Sequence, residues 1–351
     1  MTYNVSNNKS LTEVSMKKSI LILYTGGTIG MAKTAQGYQP TAGLLSKLMT
    51  EDRAFSHEDM PNYDIIEYTP LIDSSNMTLH HWNVLAKDII KAYAQYDGFI
   101  ILHGTDTMAY TACALSFMMS GLNKPVILTG AQVALTEAHS DARENLISAL
   151  LLASRYCFPE VAILFNHYLL RGNRAHKIDA IGYNAFLSPN YPPLAEVGSA
   201  LVAHPELFCA PDTRTLDLHK YKSVSLAHFW FSPGVTLNSL ESLFHNPLRA
   251  LLLHTYGSGN VPTVDKNLFS LLEKEIARGV IVVNCSQCLK GQVNMSNYAT
   301  GQALQEIGVI SALDMTPEAA TVKLQFLCSV SDNAEWIRQQ YVHSLRGELS
   351  A

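Results

Sequence analysis

At 351 residues, 48% hydrophobic and only 16% charged, the chain has enough apolar material for two domains with sizeable cores. A formal net charge of −5 offers no attraction to nucleic acid or to an anionic membrane, and no apolar run approaches the ~18 residues that span a bilayer. Six scattered cysteines contain one C-x-x-C spacing, Cys285–Cys288; a zinc ribbon needs a second pair, and the 13 histidines form no H-E-x-x-H pattern, so no metal is expected. A redox role for the cysteine pair stays open.

The chain opens on a polar stretch, MTYNVSNNKS, and residues 1–15 are expected to form an unstructured N-terminal extension. Met16-Lys17-Lys18 ahead of Ile20–Leu23 imitates a signal peptide, but its apolar part is shorter than the ~7–15 residues of one and no small-residue cleavage site follows. Met16 reads instead as the opening of the first strand and as an alternative start, and the protein is expected in the cytoplasm. Ile20–Tyr24 has the look of a buried parallel strand and runs into Thr25-Gly26-Gly27-Thr28-Ile29-Gly30. Such an ending is either a plain turn or a ligand loop, because glycines let backbone amides approach a bound group with no Cβ in the way. The spacing fits neither G-x-G-x-x-G nor G-x-x-x-x-G-K-[ST], the two nucleotide-binding templates.

Further strands are predicted at Ile65–Tyr68, Phe99–Leu102, Val126–Leu128 and Val161–Phe165, alternating with helices at Leu79–Tyr96, Met108–Ser120 and Asp141–Tyr156. Thr78 is placed to cap the first of these helices and Gly121 to close the second. After Phe99–Leu102 comes a second glycine-threonine loop, His103-Gly104-Thr105-Asp106-Thr107-Met108, which is either a helix N-cap or half of a site. Two such loops at the carboxyl edge of one parallel sheet would converge on one crevice. From Ser188 to Tyr221 prolines break up long elements, with Glu196–Ala203 a candidate strand. Beyond it, strands at Val224–Phe229, Ala250–His254 and Val280–Asn284 and helices at Leu268–Arg278, Pro317–Cys328 and Asn333–Arg346 are expected. The predicted fold is α/β: a larger N-terminal parallel-sheet domain flanked by helices (16–204), a linker (205–222) and a smaller C-terminal α/β domain (223–351).

YTGGTIGM and ILHGTDTMAYTA together resemble the two signature segments of the L-asparaginase family. EYTPLIDSSNMT (Glu67–Thr78), KPVILTGAQ (Lys124–Gln132), RGNRAHK (Arg171–Lys177), LLLHTYGSGN (Leu251–Asn260) and VVNCSQCLKGQVNMSNYATG (Val282–Gly301) extend the likeness from Met16 to the carboxyl terminus, in order. The pattern is similar to the bacterial type I, cytoplasmic branch. The resemblance implies hydrolysis of L-asparagine to L-aspartate and ammonia, with no cofactor. It also implies a homo-oligomer, dimer or tetramer, in which a neighbour's second domain borders the pocket. Thr28 matches the nucleophilic threonine and Tyr38 the tyrosine of a mobile loop that closes over the substrate. Thr105 and Asp106 match the second signature, Lys177 their lysine partner, and Asp73, Ser74 and Ser75 the segment holding the ends of the substrate. Asp106 is implied to hold the α-ammonium group.

The chemistry agrees with that assignment. A threonine hydroxyl is a poor nucleophile until a partner takes its proton, and a desolvated lysine can serve as that base. Asp106 beside it would oppose the shift to the neutral amine, so the balance is open. Taken singly, Tyr38 reads as a packed aromatic, Lys177 as a surface charge and Asp73-Ser74-Ser75 as a turn. Gly30 and Gly37 are plausible hinges for a lid, and glutamine is expected to be a poor substrate if the lid closes on the shorter side chain. Acyl-enzyme and direct water attack both remain possible.

Two departures stand out. His139–Asn145 keeps the Ser-Asp and Asn of the family pattern but lacks the Gly-Pro pair that many members carry between them, so side chains lining the pocket there are expected to differ. Some type I members bind asparagine at a second, regulatory site, to which His176, His254 and Cys288 are the corresponding candidates here. Histidines at the first two positions are unexpected for reading a carboxylate at neutral pH. A transamidation subunit acting on charged tRNA would carry an additional N-terminal domain, and a non-catalytic sensor would have lost Thr28, Thr105, Asp106 or Lys177. All four are present.

Overall fold

The computed structural model describes residues 17–35, 37–263 and 267–350; the extension expected over 1–15, and Met16, lie outside the described residues. The larger sheet has eight strands in the edge-to-edge order Leu201–Ala203, Ala195–Val197, Tyr168–Arg171, Val161–Phe165, Val126–Thr129, Gly98–Leu102, Ser19–Tyr24 and Asn62–Glu67. The last five run parallel. The first three extend the sheet antiparallel, starting from a tight turn in which Asn166 takes φ 54°, a left-handed conformation that asparagine tolerates.

The central strands read as unbroken apolar runs because both faces are covered. Along Ser19–Tyr24, Leu21 and Leu23 enter one core with Trp82, Leu85, Leu115 and Phe117, while Ile20, Ile22 and Tyr24 enter the opposite core with Leu45, Leu146 and Leu150. Each fully buried side chain of this size contributes roughly 1.5–3 kcal/mol, so one strand ties helices on both sides of the sheet together.

A second sheet of four parallel strands, Leu226–Trp230, Ala250–Thr255, Ile281–Ser286 and Ile310–Ser311, forms the smaller lobe. The helix Pro317–Val330 packs on this sheet and on the helix Met108–Met118 of the first lobe. Phe117 stacks on Phe326 across that seam at 5.9 Å between centroids, and Leu252 and Val283 share a core with Leu115 and Phe117. Met108–Met118 is therefore apolar all round, as a helix enclosed on every side must be. Between the lobes, Asp217–Leu218 pairs with Met119–Ser120 and Tyr221 packs on Trp82 and Phe326.

Several expected boundaries move. The helix from Leu79 ends at Ala92, although Thr78 is its N-cap as expected. The helix from Met108 ends at Met118, because Met119 and Ser120 turn to pair with Asp217–Leu218. Gly121 follows that pair with φ +76°, where a Cβ would meet the Thr215 carbonyl at 2.5 Å; it permits a close chain crossing and does not close a helix. Glu196–Ala203 is a hairpin turning around Gly198, not one strand. The final helix stops at Tyr341, because residues 345–350 leave it to bind the first lobe.

Candidate active site

The first loop is pinned to its neighbour as it leaves the sheet. Thr25 donates twice to the Leu102 carbonyl, from N–H at 3.0 Å and from Oγ1 at 2.8 Å, and its own carbonyl accepts from Ile72 N–H at 2.6 Å. Gly26 and Gly27 follow at φ +137° and +89°. A Cβ on Gly26 would stand 2.2 Å from the Ile72 carbonyl oxygen, and one on Gly27 would stand 2.6 Å from the Gly104 nitrogen. Glycine is thus required at both positions by conformation and by contact. Gly104 in turn faces Ser74, whose Oγ would lie 2.4 Å from an added Cβ, and Thr107 Oγ1 donates to the Ser74 carbonyl at 2.8 Å. The three loops 25–28, 72–75 and 103–107 are therefore in contact at the carboxyl edge of adjacent parallel strands.

That contact gathers most of the sequence-predicted residues. Thr28 opens a short helical turn, Thr28–Gly30, half-buried, with no side-chain hydrogen bond to a described residue. Ser74 is buried while Asp73 and Ser75 are exposed, and Asp73 Oδ1 accepts from Ser75 N–H at 3.0 Å. Lys177 arrives from a short bridge in which His176–Lys177 pairs antiparallel with Phe186–Leu187. Its Nζ donates to Thr105 Oγ1 at 2.8 Å and to Asp106 Oδ1 at 2.7 Å. Asp106 is 63% exposed and Lys177 19%, so the pair is worth only about 0–1 kcal/mol to stability; its consequence is geometric.

Tyr38 is placed differently. It lies on the hairpin Met31–Thr34/Gly37–Pro40, 46% exposed, and its hydroxyl donates to Glu137 Oε1 at 2.8 Å. That bond to a carboxylate raises the phenol pKa. No hydrogen bond joins Tyr38 to Thr28 among the described residues. Behind the turn, buried Tyr24 fills the space under Gly30, where a Cβ would lie 2.1 Å from its hydroxyl oxygen.

His103 was singled out in sequence only as the start of the second loop, and its role is larger. It is fully buried, and burial lowers its pKa to about 4. The neutral ring donates from Nδ1 to the Gly104 carbonyl at 2.7 Å, leaving Nε2 to accept from Thr111 Oγ1 at 3.0 Å. Thr111 accepts from Trp82 Nε1 at 2.9 Å. This one-directional chain, with donor and acceptor matched at each step, fixes the backbone at Gly104. The departing segment 139–145 has a comparable function: Asp141 accepts from Gln132 and Val133 N–H, and Asn145 Nδ2 donates to the Gly130 carbonyl, so the loop after Val126–Thr129 is clamped.

Each regulatory candidate has its own surroundings. His176 Nδ1 lies 2.7 Å from Glu318 Oε1, a bond that raises its pKa. His254 is buried, stacked on Trp230 and on His228, with its Nε2 2.9 Å from His228 Nδ1. Cys288 is exposed on the loop after Ile281–Ser286, and both Cys285 and Cys288 are free thiols. No hydrogen bond, ion pair or ring contact links any two of His176, His254 and Cys288 among the described residues.

Comparison with known proteins agrees with this geometry. The family models described as "Asparaginase, N-terminal" and "Glutaminase/Asparaginase C-terminal domain" match residues 19–207 and 227–341. The chain is 45% identical over 334 residues to "L-asparaginase 1" of Escherichia coli K12, covering 95% of this chain and 98% of that one. It is 39% identical to the "L-asparaginase" of Dirofilaria immitis, with 94% of this chain and 60% of that one covered. The crystal structure of L-asparaginase I from Vibrio cholerae superposes with a TM-score of 0.89 at 41% identity, covering 95% of this chain and 100% of that one. With both domain models matched in order along one chain, this protein belongs to the asparaginase family.

Proposed function

We propose that this protein is an L-asparagine amidohydrolase, converting L-asparagine and water to L-aspartate and ammonia, with Thr28 as the nucleophile. The observation that supports the reading is the backbone contact of Gly27 with Gly104, next in sequence to Thr28 and to the Thr105–Asp106–Lys177 cluster respectively. Asp106 receives the α-ammonium group of the substrate, and Asp73, Ser74 and Ser75 receive its α-carboxylate end, so the side-chain amide is presented to Thr28. Thr28 Oγ1 either attacks the amide carbon or orients a water that does. In the first route the proton of Thr28 Oγ1 passes to the departing nitrogen, giving ammonia and an ester on Thr28 that water then hydrolyses to aspartate and the free hydroxyl. In the second, a proton of the attacking water passes to the nitrogen and aspartate forms directly.

Proton removal falls to two groups. Lys177, next to Thr105 Oγ1, serves as the base through that hydroxyl. Tyr38 acts when the hairpin closes and its hydroxyl leaves Glu137 for Thr28, excluding water from the crevice. Backbone N–H groups of the two loops face the developing oxyanion, and loss of one such donor costs about 3 kcal/mol in comparable sites. The reading further includes self-association as a dimer or tetramer, domains divided at 16–204 and 223–351, and a cytoplasmic location. No helix among the described residues is long and apolar enough to cross a membrane.

The test is direct. Purified protein with asparagine should release ammonia and aspartate in equal amounts, and Thr28→Ala should release none. Absence of ammonia from the intact protein would refute the reading.

A further inference from the structure

We infer that the carboxyl-terminal tail, residues 345–350, is a positioning device for Lys177, acting through the segment Arg171–Arg174. This rests on the reading of Lys177 given above.

The segment Arg171-Gly172-Asn173-Arg174 connects the edge strand Tyr168–Arg171 to the bridge that carries Lys177, and all four residues are buried. Each of its polar side chains reaches the tail. Arg171 Nη1 donates to the Gly347 carbonyl at 3.3 Å, and Asn173 Nδ2 donates to the Arg346 carbonyl at 2.9 Å. Arg174 Nη1 donates to the Glu348 carbonyl at 2.8 Å, while its Nη2 serves Ser350 Oγ at 3.1 Å, Asp314 Oδ2 at 2.8 Å and the Asn190 carbonyl at 2.8 Å. Arg171 is also anchored outside the tail, from Nε to Glu160 Oε2 at 2.7 Å and from Nη2 to the Leu207 carbonyl at 2.7 Å.

The tail is itself held by buried polar contacts. Glu348 is fully buried and accepts from the N–H groups of Leu345 and Arg346 and from Lys323 Nζ, which is also fully buried. Ser350 N–H donates to Asp314 Oδ1 at 2.9 Å. Gly347 takes φ +76°, and a Cβ there would lie 2.4 Å from Arg171 Nη1, a guanidinium that Glu160 prevents from moving aside. The fold thus uses its last residues to close hydrogen bonds on the strand end that leads, three residues after Arg174, to Lys177.

The consequence is selective. A lysine side chain is long and flexible, so the accuracy of its Nζ depends on where its backbone enters the site. The substrate ends are held by Asp73–Ser75 and Asp106, which are on other loops. A loosened tail should therefore reduce the chemical step more than binding.

The experiment measures kcat, KM for asparagine and the melting temperature for Gly347→Ala, Arg174→Lys and Lys177→Met, with each of the first two also combined with Lys177→Met. Gly347→Ala and Arg174→Lys are expected to lower kcat per folded molecule by about ten- to a hundredfold, as small misplacements of a reacting group do, with KM within about twofold. In the Lys177→Met background neither should lower kcat further, since both act through the same amine. An unchanged kcat per folded molecule, with only a lower melting temperature, would reduce the tail to a structural strap and overturn the inference. If one variant fails to fold, the other decides. If Lys177→Met alone keeps full kcat, the reading of Lys177 fails first. If it is inactive while both tail variants retain kcat, that reading stands and only the tail inference falls.

Discussion

Gly27 and Gly104 meet backbone to backbone, so closely that a Cβ on the first would lie 2.6 Å from the nitrogen of the second. Two loops separated by more than seventy residues in sequence come into contact at this point. Gly27→Ala should break it twice over, since φ +89° alone disfavours alanine by about 1–3 kcal/mol and the clash is with backbone that cannot rotate away. Urea unfolding should show a marked loss of stability, and residual folded enzyme should have a lowered kcat. Wild-type values for both would show that the loops can separate without consequence.

Thr28→Ala should behave in the opposite way. Its hydroxyl has no side-chain hydrogen bond to a described residue, so the change in stability should stay within about 1 kcal/mol. Turnover should fall by at least about a thousandfold, as it does when a nucleophile is removed elsewhere. Asparagine binding, measured by calorimetry on the variant, should persist. An active Thr28→Ala protein would remove the nucleophile assignment.

Lys177→Met separates chemistry from binding. Because Asp106 is 63% exposed, the ion pair is screened by solvent and its loss should cost no more than about 1 kcal/mol of stability. Steady-state kinetics should show kcat reduced far more than KM is raised. A raised KM with unchanged kcat would make Lys177 a substrate-binding group only.

Much of the fold around this candidate site is legible in the sequence, for identifiable reasons. Val161–Phe165 and Gly98–Leu102 are apolar along their whole length because they are covered on both faces, and that continuity is a local signal. The glycine-threonine loops were equally visible, since Gly26, Gly27 and Gly104 are required where chains touch. Lys177 carries no local signal, and only the family resemblance points to it. The contacts of Arg171, Asn173 and Arg174 with the tail span more than 170 residues of sequence, and the His103–Thr111–Trp82 chain exists only once two helices pack beside the sheet. Periodicity carries no information about such pairings. The hairpin at Gly198 was read as a single strand because both arms share the same residue types.

The His103 chain has a stability consequence. In Thr111→Val the Trp82 indole N–H loses its acceptor and His103 Nε2 loses its donor, both in the core. Leaving buried polar groups without partners costs about 1–3 kcal/mol each, so denaturant titration should register a loss of that order. Activity should also drop, because Gly104 is held through His103. A neutral substitution would mean that the chain does not constrain the loop.

Buried histidines also make stability depend on pH. Burial lowers the pKa of His103 to about 4, and burial together with the adjacent His228 lowers His254 to about 4, against an ordinary 6.5. The unfolded chain therefore takes up protons near pH 6.5 that the folded protein refuses until near pH 4, so stability is full above the first value and falls as pH drops toward the second. Each group contributes a loss approaching about 3 kcal/mol at the acid end; His176, whose pKa is raised by Glu318, acts in the opposite sense. His103→Gln should be less stable than wild type at neutral pH but should decline less steeply on acidification. Parallel declines in urea midpoint across this range would show that His103 is not held neutral.

Tyr38 supplies the test of closure. Its hydroxyl is bound to Glu137 in this structure, whereas the proposed proton transfer from Thr28 requires it to leave that partner. Glu137→Ala removes the competing bond, and Tyr38→Phe removes the hydroxyl in both states. Because Tyr38 is 46% exposed, Tyr38→Phe should leave the melting temperature unchanged while lowering kcat by about 10²–10⁴-fold, the usual contribution of a positioned proton acceptor. Glu137→Ala should retain turnover, and in the doubly substituted protein the Tyr38→Phe loss should persist undiminished. If Tyr38→Phe keeps full kcat, Tyr38 takes no proton, and proton removal in the proposed mechanism rests on Lys177 alone.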